Sequence, residues 1–117
     1  MNQEKRRNPR IDTHNLISYT LLEEGERGMT QGMGRTLDVS EGGIRLETHV
    51  ILGTGASISL SIALEDDLID LQGRIVHCRE SGEGRYDCGI RFEEMEEEKT
   101  AFLRQYITIF KGEDDTV

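Results

Sequence analysis

Ala56-Ser-Ile-Ser-Leu-Ser-Ile-Ala-Leu64 is the stretch that decides the fold, because Ile58, Leu60, Ile62 and Leu64 alternate with Ser57, Ser59, Ser61 and Ala63. Successive side chains of an extended chain point to opposite faces, so a period of two describes a strand with one apolar and one wet face. Working outward, the same signal recurs in short segments punctuated by glycine. Asn15 to Leu22 is a first strand, carrying Leu16, Ile17, Tyr19, Leu21 and Leu22. Glu23 to Gly34, with Gly25, Gly28, Gly32 and Gly34, reads as a loop in which Met29 to Met33 starts the next strand. Arg35 to Val39 and Ile44 to His49 are two further strands joined by a Ser-Glu-Gly-Gly turn, and Gly53-Thr-Gly55 breaks the chain again. Leu68 to Arg79 is a longer strand whose alternation slips near Gly73, which predicts a bulge or a barrel corner there. Ser81-Gly-Glu-Gly84 is a hairpin turn, after which Tyr86, Cys88, Ile90 and Phe92 line one face of a last strand. Six short strands with glycine-rich turns favour a small antiparallel barrel over a sandwich, because closure removes exposed edges.

Beyond Met95 the period changes. Phe102, Leu103, Tyr106, Ile107 and Phe110 fall on one face of a helix that packs on the barrel, and Lys111-Gly112 closes it. Glu94, Glu96, Glu97 and Glu98 form its solvated start, where negative charge suits the helix dipole. The expected organisation is a flexible basic arm over 1–13, one barrel domain with its helix over 14–112, and a frayed tail over 113–117.

A chain of 117 residues is one domain, and its formal charge is −9. That balance argues against binding DNA, RNA or an anionic membrane, all of which need broad basic surface. No apolar run approaches the roughly 18 residues of a membrane span, and the polar N-terminus is not that of a signal peptide, so a cytoplasmic protein is expected. Cys78 and Cys88 sit symmetrically about the hairpin and can face each other; in that compartment two reduced, buried thiols are expected. His14, His49 and His77 make no zinc spacing with them. There is no serine–histidine–acid arrangement and no phosphate-cradling Gly-x-x-x-x-Gly-Lys loop, so no enzyme and no metal or cofactor are expected.

Two stretches carry chemistry. Leu37-Asp-Val-Ser-Glu-Gly-Gly-Ile44 sets Asp38, Ser40 and Gly43 between two strand-like flanks. Asp38 can accept two hydrogen bonds side by side, Ser40 can donate and accept, and Gly42 and Gly43 allow positive φ or close approach to a ligand. A carboxylate fork, a hydroxyl and a bare backbone suit the adjacent N–H donors of guanine; taken alone, the pattern equally fits a plain turn. Lys5-Arg6-Arg7-Asn8-Pro9-Arg10 concentrates cations in an acidic chain. Pro9 disfavours helix at Asn8, so Arg6 and Arg10 sit on an extended segment with Cα atoms roughly 13 Å apart at about 3.3 Å per residue. Guanidinium groups pair with phosphate, stack on aromatic planes and donate to guanine O6 and N7. On its own the arm also fits a disordered basic tail.

Arg-x-x-x-Arg at 6 and 10, followed by Asp-x-Ser-x-x-Gly at 38, 40 and 43, resembles the PilZ domain family, receptors for the bacterial second messenger cyclic di-GMP. The later strands, a Cys-Gly-Ile-Arg-Phe strand ending and a single helix are similar to that family's layout. The resemblance implies a mainly β fold, a six-stranded antiparallel barrel with a C-terminal α-helix. It implies cyclic di-GMP as ligand, with Arg6, Arg7, Arg10, Asp38, Ser40, Gly42 and Gly43 as its contacts and Lys5 beside the first motif. The output implied is an arm that orders over the ligand and an effector protein that reads the change, in motility, biofilm or polysaccharide regulation. The alternative is a PilZ-like adaptor that binds a protein and no nucleotide.

Overall fold

The computed structural model describes residues 16–22 and 29–115. The expected basic arm over 1–13, with Arg6, Arg7 and Arg10, lies outside the described residues, as does the predicted strand start at Asn15. Six strands follow one another: β1 (Leu16–Leu22), β2 (Met29–Val39), β3 (Gly43–Thr48), β4 (Ser57–Leu64), β5 (Asp67–Gly82) and β6 (Arg85–Glu93). They close into an antiparallel barrel in the order β1-β2-β3-β6-β5-β4, with β1 pairing both β2 and β4. A helix, α1 (Glu97–Asp115), completes the expected architecture.

The alternation that opens the sequence is the barrel's inside and outside. Ile58, Leu60, Ile62 and Leu64 are all buried, together with Ile17, Tyr19 and Leu21 of β1, Leu71 and Ile75 of β5, and Cys88, Ile90 and Phe92 of β6. α1 adds Leu103 and Tyr106 to this core, and Phe102, Ile107 and Phe110 pack against it as the helical stripe predicts. Inside, the Tyr106 hydroxyl and the Thr36 hydroxyl of β2 share a hydrogen bond of 2.8 Å, so neither buried oxygen lacks a partner. Glu97 and Glu98 occupy the first turn of α1.

Four expectations are corrected. First, the strand start expected at Met29 is found, but Gly32 and Gly34 lie inside that strand and not in a loop, since Met29–Val39 is one strand of 11 residues. A Cβ at Gly32 would press on the Tyr19 ring, and one at Gly34 would sit 3.2 Å from the Glu47 carbonyl oxygen, so these glycines supply space rather than a turn. Second, the register of β5 shifts between Ile75 and His77, at Val76 instead of Gly73. Gly73 is needed because a Cβ there would lie 2.6 Å from Ile90 Cγ2. Third, α1 runs through Gly112 to Asp115, and a Cβ at Gly112 would meet nothing within 4 Å. Fourth, Cys78 and Cys88 are directly opposed across β5 and β6 and joined as a disulfide, not two separate thiols, because the hairpin register makes them partners.

Candidate functional site

A register shift in β2 builds the site. Pairing with β3 slips between Thr36 and Asp38, so the even-numbered face changes sides. Thr36 stays inside, 2% exposed, while Asp38 turns out to solvent. Asp38 is opposite Arg45, and its Oδ1 accepts a hydrogen bond of 3.0 Å from the Val39 amide. The chain then turns through Ser40-Glu41-Gly42. The Ser40 amide donates to the Gly43 carbonyl (2.9 Å), and the Ser40 hydroxyl accepts from the Gly42 amide (3.3 Å). The Phe92 amide of β6 donates to the Gly42 carbonyl at 3.0 Å, which pins the turn to the neighbouring strand.

Neither Gly42 nor Gly43 has a positive φ, so of the two roles open to them the turn role is not used. Gly43 is a close-approach glycine: a Cβ there would run into the Ile90 carbonyl oxygen. A Cβ on Gly42 would meet nothing within 4 Å. Gly43→Ala is therefore expected to lower stability by about 1–3 kcal/mol, because main-chain oxygen cannot move away cheaply. Gly42→Ala should stay within about 0.5 kcal/mol. Urea unfolding of both variants checks this, and equal losses would remove the close-approach role.

Asp38, Ser40 and Gly43 share one surface cleft of about 210 Å³ with Val39, Ile44, Arg45, Val76, Gly89 and Ile90. Gly42 belongs to the turn but does not line this cleft. The cross-strand register explains who else is present. Arg45 of β3 faces Gly89 of β6, which faces His77 of β5. The missing Cβ of Gly89 leaves room that the His77 ring occupies, and the β5 bulge pushes Val76 outward, 43% exposed. Arg45 Nε donates to Asp87 Oδ1 at 3.2 Å, and His77 Nε2 lies 3.9 Å from the same oxygen. Arg45, Val76 and Gly89 were missed in the sequence; the Cys-Gly-Ile-Arg-Phe ending holds Gly89, but only pairing shows where it points. Larger grooves exist beside Leu22, Ile51 and Arg74 (about 540 Å³) and beside Ser18, Thr20, Gln31 and Ser61 (about 450 Å³), but neither contains a residue of the Asp38–Gly43 motif.

α1 reaches the turn as well. Arg104 Nε donates to Glu41 Oε2 at 2.8 Å, and this hydrogen bond, with the attraction of the carboxylate, raises the Arg104 pKa further. Among the described residues no three His, Cys, Asp or Glu side chains converge to hold a metal ion, and no helix is long and apolar enough to cross a membrane.

The described residues thus form a closed antiparallel barrel with an outward-facing polar cleft at a strand–turn–strand junction. Residues 4–108 match the PilZ domain family, and the chain belongs to it. No curated protein sequence matches the chain. Among solved structures it is similar to MrkH of K. pneumonia in its apo state, at 17% identity and a TM-score of 0.62 over 86% of this chain and 48% of that one. A second MrkH crystal form gives 15% identity and the same TM-score over 86% and 46% of the two chains. The PilZ domain of CeSA from a cellulose-synthesizing bacterium gives 17% identity and a TM-score of 0.52 over 86% and 95%. The present chain thus spans about half the length of the MrkH chain. At these identities the likeness shows the fold.

Proposed function

We propose that this protein is a cyclic di-GMP receptor and adaptor: it binds the nucleotide at the Asp38–Gly43 cleft and passes the change to a protein partner in the cytoplasm. The observation that carries this is the convergence of Asp38, Ser40 and Gly43 on one cleft. The Asp38 carboxylate and the Ser40 hydroxyl suit the amide edge of a guanine, and Gly43 leaves the backbone bare beside it. The volume, about 210 Å³, falls below the roughly 300–1,000 Å³ that encloses a whole small ligand. The cleft therefore holds one base, and the phosphates and second base need another set of groups. Arg6, Arg7 and Arg10 fit that need, because guanidinium groups bind phosphate bidentately and reach the Hoogsteen edge of guanine.

Calorimetric titration with cyclic di-GMP, read for affinity and stoichiometry and repeated with GMP, tests the proposal. Binding of cyclic di-GMP that is lost in Arg6→Ala/Arg10→Ala is the expected result. A flat titration would reject the nucleotide and leave the adaptor that binds only a protein partner. MrkH and the CeSA PilZ domain are likenesses of fold, so neither names that partner.

A further inference from the structure

We propose that α1 tunes the affinity of the Asp38–Gly43 cleft through two side-chain links on either side of Asp38, with Arg104 as a positioning residue. This rests on the reading of the cleft as a cyclic di-GMP site and adds how that site is regulated. One link lies before Asp38, where the buried Thr36 hydroxyl meets Tyr106 at 2.8 Å. The other lies after it, where Glu41 meets Arg104 at 2.8 Å. The chain itself is a third link. β6, which supplies Gly89 and Ile90 to the cleft, runs into α1 after only Glu94-Met95-Glu96. The helix is thus fastened to β2, to the turn and to β6, the elements that frame the cleft, while Arg104 itself lines a neighbouring groove with Leu64 and Glu65.

The Glu41 link has a definite sign. Glu41 puts a carboxylate in the turn that would receive a dianionic ligand. Arg104 neutralises that charge through its 2.8 Å hydrogen bond to Glu41. Withdrawing Arg104 leaves Glu41 to repel the ligand; withdrawing both removes the repulsion. Coupling between sites is reciprocal, so a ligand that prefers the clasped turn must also tighten α1.

The test is a double-mutant cycle on the full chain by calorimetric titration with cyclic di-GMP. Both side chains are more than half exposed (63% for Arg104, 55% for Glu41), so the variants should fold like the parent. Arg104→Gln is expected to weaken binding about two- to fivefold, the range of an exposed charge pair, with the deficit shrinking as salt rises. Glu41→Gln/Arg104→Gln should recover the affinity of Glu41→Gln. A role confined to holding the helix would leave the double variant as weak as Arg104→Gln, and that result, or an unchanged Arg104→Gln, overturns the proposal.

Amide exchange supplies the second readout. Ligand should slow exchange along α1 in the parent chain and do so less in Tyr106→Phe. If the parent chain binds no cyclic di-GMP, the ligand reading falls, and the coupling is decided in the ligand-free protein. There Tyr106→Phe should speed exchange at the Ser40 and Phe92 amides, which close the turn, as well as in α1. A response confined to the helix would overturn the coupling.

Discussion

Asp38→Ala is expected to weaken cyclic di-GMP binding by about 10- to 150-fold, the span of one lost charge-assisted hydrogen bond at 1.5–3 kcal/mol. The fold should hardly notice. Asp38 is exposed, and its described hydrogen bond is a local one from the next amide, at 3.0 Å. A loss would therefore belong to the ligand, whose N–H donors the proposed function pairs with the carboxylate. Arg10→Ala should produce a loss of the same order, through the proposed phosphate and guanine contacts. Titration of each variant, with thermal unfolding as control, decides the matter. An affinity that stays at the parent value in Asp38→Ala would take the carboxylate out of the site, and with it the guanine-edge geometry.

Leu60→Ala is expected to cost about 2–5 kcal/mol of stability, the range for removing a buried leucine and leaving a cavity. Leu60 is 0% exposed, sits mid-way along β4 and faces Leu71 and Tyr19 across the two adjoining strands. A domain of this size has only about 5–15 kcal/mol in total, so the variant should unfold at visibly lower denaturant and populate unfolded chain on mild heating. Ala63→Ser, three residues along on the outer face, should stay within about 0.5 kcal/mol. Chemical denaturation of the pair measures the contrast. Similar midpoints for both would mean that the period of two in β4 does not divide inside from outside.

Much of this molecule was legible as local pattern. The alternation of Ile58 to Leu64, the face of Tyr86, Cys88, Ile90 and Phe92, and the helical stripe from Phe102 to Phe110 each report which way side chains point. That depends only on backbone geometry within a few residues. The same is true of the turn at Asp38, Ser40 and Gly43, although that spacing alone fits a plain turn as well as a ligand site.

The glycines show where local reading stops. Gly32 and Gly34 look like loop residues by composition, yet they lie inside β2, because Tyr19 and Glu47 approach from other strands. Cys78 and Cys88 are symmetric about a hairpin in the sequence, but only the register Cys78↔Cys88 makes them bonded partners. The bulge expected at Gly73 falls at Val76, where it brings an apolar side chain to the cleft.

By itself the sequence determined the strands, their two faces, the closing helix and the motif at 38–43, since each is a short-range periodicity or spacing. The tertiary structure alone decided that Arg45, Val76 and Gly89 join Asp38 in one cleft, and that Glu41 meets Arg104. Apart from Arg45, seven residues from Asp38 across the β2–β3 turn, those neighbours lie tens of residues apart and are brought together by cross-strand register and barrel closure, which depend on how all six strands pair at once.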